Sequence, residues 1–373
     1  MRTHNRAIPP GRGGFTLVEL LVAIGLTLFI MTIIVEAFSI SMDAYSGFRA
    51  VGDVQNQSRA ALLMLKNDLS NVRFEGGRKL SDRNFWDTPV KEGFFAVSHG
   101  SAPQLLPTAP YVDEGVDLDG VHHSFRATDH ILHFGVRLRE NRRDQTFSVP
   151  RATAPVATWQ NKQIYTTNMN PESLFGSTDP AAPNAPPAVA SQWAEIAYFL
   201  EPTKTITVPD PSDPTKTISL KLHNLYRMQL IVLPLVDKVN GQVAVDRNIF
   251  SGNAATNKFY SPNDIAAGAT TRGLVIDPVT SPLNPAVEKT RASLVATNVV
   301  SFQVRIMKDP PDPGQPSFID PPPQNNKRLF DSAVKPTAQP GQSPYRVIGV
   351  QVILRVFDES SGLTRQVTLV QDL

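Results

Sequence analysis

Cysteine is absent from the 373 residues, which excludes disulfides, thiolate metal sites and a cysteine nucleophile. An excess of one charge sign is absent too. Lys plus Arg number 36 against 34 Asp plus Glu, a net of +2, which excludes a nucleic-acid-coating surface of the strongly basic kind. Proline is plentiful at 32 residues, yet none falls between Phe15 and Val72, so nothing there interrupts a helix. From Phe15 to Val35 charge itself is missing except at Glu19. No GxSxG, Walker loop, HExxH or CxxC occurs, and Gly11-Arg12-Gly13-Gly14 lacks the Lys-Ser/Thr of a phosphate loop. No catalytic residue is assigned, and the chain reads as a non-enzyme.

Hydrophobic content of 41% and charged content of 19% are those of a folded protein. The uncharged run from Phe15 is about 21 residues, or roughly 31 Å as a helix, enough to cross a bilayer core. Arg2, Arg6 and Arg12 precede it without any acid, which places the N-terminus in the cytoplasm and the large remainder outside. A cleaved secretory signal has a shorter apolar region and a small-x-small site, and neither is found. A simple membrane anchor is the other competitor. Glu19 separates these readings, because a carboxylate in a membrane segment costs about 2.5–3.5 kcal/mol at the helix centre and needs a partner. Beyond the apolar run, Phe48, Val51, Val54, Ala61, Leu62, Leu65, Leu69 and Val72 recur at three- and four-residue spacing with Arg49, Asp53, Arg59, Lys66 and Asp68 between them. The pattern predicts one helix over residues 15–72, its second half suited to packing on a sheet, with Gly76-Gly77 as the stop.

Period-two alternation predicts strands at Ile131–Leu138, Trp193–Leu200, Leu225–Leu233, Val299–Met307, Tyr345–Phe357 and Leu363–Val370. Val300, Phe302, Val304 and Ile306 are expected on one face, as are Val350, Val352, Leu354 and Val356. Strands without alternating helices imply an antiparallel sheet, so the fold class is α+β: a long N-terminal helix, transmembrane then amphipathic, packed on that sheet. Residues 1–14 read as a leader, 15–42 as the transmembrane and polymerisation helix, 43–75 as its amphipathic continuation, and 76–373 as a β-rich exported head. Insertions, mostly Pro-rich, fall near 150–192, 237–292 and 308–344. Thr-Lys-Thr-Ile occurs twice within 203–218 around Val-Pro-Asp-Pro-Ser-Asp-Pro, which reads as a protruding hairpin.

The string from Gly14 through Phe15-Thr16-Leu17-Val18-Glu19 to Ile24 resembles the prepilin cleavage and methylation signature of type IV pilins and type II secretion pseudopilins. That resemblance implies a pilin-like fold, cleavage by a prepilin peptidase between Gly14 and Phe15, N-methylation of Phe15, and an assembly role for Glu19. In that role Glu19 meets the freed amine of a neighbouring subunit and sets axial register. It also implies inner-membrane residence, then a pilus or pseudopilus of related subunits. The sequence departs from many major pilins at Glu36, where they carry a kinking proline. Trp193–Leu200, Leu225-Tyr226-Arg227, Val299–Arg305 and Ile348–Leu354, in that order, resemble J-type minor pseudopilins and W-type minor pilins, which implies a place at a filament tip. The alternative is a tip binding module, an adhesin or DNA-uptake receptor, and a third reading is an anchored exported enzyme.

Three further clusters have bland readings. His122, His123, His130 and His133 read as loop and surface histidines, with a metal site as the alternative. Asp113, Glu114, Asp117 and Asp119 before Gly120 echo part of a calcium loop, but no Glu closes it. A solvated acidic loop is expected, with calcium at Asp113, Asp117 and Asp119 the alternative and no other cofactor. Arg137, Arg139, Arg142 and Arg143 are interrupted by Glu140 and Asp144 and read as charged surface rather than a nucleic-acid contact.

Overall fold

The computed structural model describes residues 16–98, 111–116, 123–128, 130–138, 147–150, 188–209, 213, 215–232, 251–253, 258–274, 285–309, 318–319, 329–335, 346–359 and 361–373. Of these, 43–44, 46–51, 53, 111–116, 123–126, 148–150, 188–190, 218, 258–259, 319 and 329 are described by backbone alone. The chain divides into two units, Met1–Asp53 and Val54–Leu373.

Helix α1 runs from Leu17 to Ser70, starting in the first unit and ending in the second. Every side chain from Leu17 to Met42 is exposed, and the segment is long and apolar enough to span a membrane. A helix apolar on all sides and left uncovered by the described residues is one that lipid or other helices remove from water. Thr27 and Thr32 fold their hydroxyls back onto the carbonyls of Ala23 and Leu28 at 2.7 and 2.8 Å, so neither presents an unpaired donor.

In the second unit α1 behaves differently. Ala61, Leu65 and Leu69 are buried, with Val54 and Leu62 partly so, and the stripe faces the main core. The helix stops before the glycine pair because its own side chains close it. Ser70 Oγ and Asn71 Nδ2 both donate to the Asn67 carbonyl, at 2.8 and 2.9 Å, and the Arg73 guanidinium donates to that of Leu69. These satisfy carbonyls that a helix end leaves without partners. Gly76 and Gly77 then form a separate left-handed turn.

The strands are β1 (Phe95–Ser98), β2 (Tyr111–Val116), β3 (His123–Ala127), β4 (Ile131–Arg137), β5 (Phe147–Pro150), β6 (Ala188–Ser191), β7 (Trp193–Pro209), β8 (Thr217–Val232), β9 (Gly252–Asn253), β10 (Lys258–Phe259), β11 (Ala292–Asp309), β12 (Phe318–Ile319), β13 (Leu329–Asp331), β14 (Arg346–Asp358) and β15 (Leu363–Asp372). Two short helices, α2 (Pro262–Ala267) and α3 (Pro285–Glu288), fall between β10 and β11. Among the described residues nine strands make one sheet in the order β13-β1-β4-β7-β8-β11-β14-β15, with β12 also on β11. All of these pairings are antiparallel. The α+β class, a long helix followed by an antiparallel sheet, is therefore the observed one. The doubled Thr-Lys-Thr-Ile forms the distal ribbon of β7 and β8, paired from Lys204↔Leu222 to Pro209↔Thr217.

One expectation is corrected. Val300 does not share a face with Phe302, Val304 and Ile306; those three join the main core, whereas Val300 packs with Leu220, Leu222 and Phe357. The register shifts between Val299 and Ser301, and Asn298 just before it takes φ 54°. That bulge turns Val300 off the core face, while Val299 and, beyond a further register shift, Ala296 lie in the main core. Val350, Val352, Leu354 and Val356 do share the core face.

The sheet is also covered on both sides. Opposite α1, the faces of β1, β4, β7 and β8 are closed by residues 251–253 and 258–274, which contribute Tyr260, Ile265 and Leu274. This is why Trp193–Glu201 is buried without a break. Within 237–292, then, these residues serve as part of the core.

Candidate functional site

The N-terminal site is built on the start of α1. Thr16 is the N-cap: its carbonyl receives the Leu20 amide at 3.2 Å and its Oγ1 accepts from the Glu19 amide at 3.2 Å. In return Glu19 Oε2 accepts from the Thr16 amide at 2.9 Å and the Thr16 hydroxyl at 3.0 Å. This is a capping box, two helix-end donors and a carboxylate satisfied reciprocally. Its signature, Thr-x-x-Glu ahead of an apolar run, is plain in the sequence but was not part of the reading above. Among the described residues Glu19 Oε1 has no partner. The negative charge sits three residues inside the N-terminus, where the helix dipole is favourable to it. Gly14 and Phe15 lie outside the described residues.

The matching family model is the prokaryotic N-terminal methylation motif, over residues 10–35. That stretch contains the capping box and most of the exposed apolar helix. The N-terminus of the chain carries the prepilin-type cleavage and methylation motif. No curated protein and no solved structure matches the chain. That motif marks pilin-like precursors in general and implies processing by prepilin peptidase and assembly with other pilins, and the apolar helix it opens is long enough to anchor in a membrane. The match ends before the head.

In the head of this prepilin-type chain, two buried polar clusters stand out, one on each face of the sheet. Under α1, Asp68 is 5% exposed and accepts from Arg227 Nε at 2.7 Å, from Arg227 Nη2 at 3.0 Å and from the Tyr198 hydroxyl at 2.6 Å. Burial and the Asp68 charge together push the Tyr198 phenol up, so it stays a donor. Burial opposes the Arg227 charge, but its bonds to Asp68 raise its pKa overall. Helix and central strands are thus joined by a fully paired two-toothed ion pair.

On the other face Glu195 is completely buried and accepts four hydrogen bonds. They come from His133 Nε2 at 2.7 Å, Ser251 Oγ at 2.6 Å, and the amides of Gly273 and Leu274 at 2.9 and 2.8 Å. Burial alone would raise its pKa, but the bonds from His133, Ser251 and Leu274 outweigh it and hold the carboxyl well below the usual range. Burial lowers the His133 pKa more than Glu195 raises it. Beside them Arg272 makes two 2.9 Å bonds to Asp331 and lies 3.7 Å from the centre of the Phe94 ring. Ser, His and Glu are brought together here, but His and Ser both bond to the Glu and neither to the other, so no nucleophile–base pair exists. The cluster fastens residues 251–274 to the sheet. An acid inside the apolar run Trp193–Leu200 was its sequence signal, since a buried carboxylate demands donors.

The histidine reading is corrected. His130 and His133 are buried rather than on the surface. His130 Nδ1 accepts from the Val304 amide at 3.1 Å, on an edge of β11 that β8 does not reach. No metal-binding group of three or more such side chains exists among the described residues. His123 and Asp113 are described by backbone alone, and His122, Asp117 and Asp119 lie outside the described residues. Of the arginine run only Arg137 is described; it lies 5.6 Å from the Trp193 ring centre and 3.9 Å from Glu92.

Proposed function

We propose that this chain is a minor, non-enzymatic subunit of a pilus or pseudopilus. It is cleaved between Gly14 and Phe15, methylated at the Phe15 amine, and drawn into the filament as α1 packs against related helices. The N-terminus stays on the cytoplasmic side and the head is exported. The observation that carries this reading is Glu19: one carboxylate oxygen is held by Thr16 within its own chain, and among the described residues the other has no partner. A neighbour's terminal amine is the partner of right charge and reach for that oxygen. The uncovered apolar surface from Leu17 to Met42 supports the same reading, as it supplies the area that helix packing buries. A minor role is supported by the size of the head and by the order of its strands, β7, β8, β11 and then the β14–β15 hairpin.

Mass spectrometry of the mature protein should find N-methylated Phe15 at its start. A Glu19→Ala variant should still be cleaved but enter filaments poorly. A mature protein beginning at Met1 would overturn the processing step, and normal incorporation of Glu19→Ala would overturn the pairing role.

A further inference from the structure

The two edges of the main sheet are unlike. β13, at one end, has three residues, and Arg272 holds Asp331 at its close. β15, at the other, has ten, and among the described residues it pairs with β14 alone. Its ladder runs from Leu363↔Asp358 to Asp372↔Gly349 without a register shift, whereas those of β7 on β8 and β11 on β14 are interrupted. An open edge is a template for another strand, and folded proteins blunt it with proline, lysine, a bulge or brevity. β15 has none of these, and its two charges, Arg365 and Asp372, stand near its ends.

The backbone groups on offer can be named. The Leu373 amide donates straight across to the Ile348 carbonyl at 3.2 Å, which makes that pair a hydrogen-bonded one. Such pairs alternate along an unbroken antiparallel ladder, so Thr364, Gln366, Thr368, Val370 and Asp372 turn their amides and carbonyls to the free side. The same parity carried through β14 turns the Val304 amide away from it, and that amide does go to His130.

Side chains define the strand that fits. On the face toward α1, Leu369 is buried and Val367 half-buried against the main core, and an apolar neighbour would cover both further. Next in that row, Arg365 has its Nε buried without a hydrogen bond among the described residues. A carboxylate directly opposite supplies what it lacks, and an uncharged strand does not, so Arg365 selects among strands. On the other face Thr364, Gln366, Thr368 and Val370 are exposed, a row that suits β-branched neighbours.

A second copy of the chain does not fit. Two β15 edges joined antiparallel are related by an axis normal to the sheet, which reverses one α1 against the other, and chains anchored in one membrane cannot pair so. Joined in parallel, they set the core face of one beside the solvent face of the other. β13 is too short to cover ten residues. We propose that the free edge of β15 is a docking site for an extended strand of a different polypeptide, apolar opposite Val367 and Leu369 and acidic opposite Arg365. The site lies wholly in the head and stands whether or not the chain polymerises.

The probe is a fluorescent peptide, Thr-Thr-Val-Thr-Val-Thr-Glu-Thr, which in antiparallel pairing sets Val on Leu369 and Val367 and Glu on Arg365. Its binding to the full chain in detergent is read by anisotropy. The peptide should bind, and its Lys-for-Glu version about tenfold more weakly, since a repulsive cross-strand pair replaces an attractive one. Arg365→Glu should reverse that order. Thr368→Pro removes only an outward amide, so the melting temperature should hold while binding is lost. Should that variant fold poorly, the reversal at Arg365 decides alone. In the chain without peptide, hydrogen exchange should be fast at the Gln366, Thr368 and Val370 amides and slow at those of Val367 and Leu369. No binding, the same order of peptides with Arg365→Glu, or slow exchange at the outward amides overturns the inference. A concentration-dependent dimer that protects those amides overturns the choice of occupant.

Discussion

Replacing Glu195 by glutamine changes one atom in the most enclosed part of the head, and its cost can be worked from the donors. Oε1 serves His133 Nε2 and the Leu274 amide; Oε2 serves Ser251 Oγ and the Gly273 amide. His133 can shift its proton and Ser251 can rotate, but neither backbone N–H can. The cheaper way for the new amide to turn puts its NH2 toward Gly273, whose N–H keeps a second acceptor in Ser251 Oγ at 3.1 Å, so one bond is lost without orphaning a donor, about 1 kcal/mol. The three surviving bonds now go to a neutral acceptor and weaken by about 0.5 kcal/mol each, while relief from burying a charge returns part of the loss. The net is about 2 kcal/mol, or roughly 4 °C in Tm for a head of this size. Thermal unfolding of the full chain in detergent, followed by circular dichroism at neutral pH, would measure it. A second signature lies in acid. Because the folded Glu195 pKa is depressed below its ordinary value of 4.5, its contribution is complete above that pH and is lost as pH falls toward the folded value. Glutamine has no proton to gain, so the gap between the two proteins should narrow below pH 4.5. A gap under about 1 kcal/mol at neutral pH, or one unchanged in acid, would refute the view that Glu195 is an ionised hub.

Gly93 has φ +76°, and a Cβ there would stand 1.7 Å from the Arg73 carbonyl oxygen. Gly93→Ala should therefore cost more than about 3 kcal/mol, seen as loss of soluble folded protein, and a wild-type melting curve would show the contact is not as described. Thr16→Val keeps the shape of the N-cap but removes its hydroxyl, a cost of about 1 kcal/mol to the helix start. Incorporation into filaments should fall while cleavage continues, and Thr16→Ser should restore it; equal incorporation of Val and Ser would deny the hydroxyl a role.

Much of the fold was legible because long strands declare themselves by alternation. The six strands expected in the sheet are there, and β14 places its alternate valines as the pattern requires. What escaped had a physical reason in each case. β1 and β13 have four and three residues, too few for a period to show. The bulge at Val299–Ser301 depends on Asn298 adopting positive φ, which Asn permits without demanding. Residues 258–274 show no sustained periodicity, because they cover a sheet face with a two-residue strand, a six-residue helix and turns, held by Glu195 and Asp331. His133 was read as a surface residue because its partner is distant in sequence; only the sheet brings β4 beside β7, where His133 pairs with Ala197 and its ring reaches Glu195.

The N-terminal carboxylate changes meaning once the capping box is seen. From sequence, an acid in an apolar run looked tolerable only if another subunit neutralised it. The structure shows that a single chain already gives Glu19 two donors, from the amide and hydroxyl of Thr16, and a place at the positive end of the helix dipole. Position at the helix end also spares it the full cost of the bilayer centre. A single chain can therefore hold Glu19 with polar partners before any assembly. Both of these donors are neutral groups, and among the described residues none bonds to Oε1. On the proposed function, an amine freed from a neighbouring chain would supply the charge that Thr16 lacks, and would do so at Oε1 without displacing the cap. Glu19 would then favour assembly by adding a charge pair to a capped helix end, rather than by rescuing an unsatisfied one, and the Glu19→Ala and Thr16→Val variants separate the two: the first removes pair and cap together, the second the cap alone.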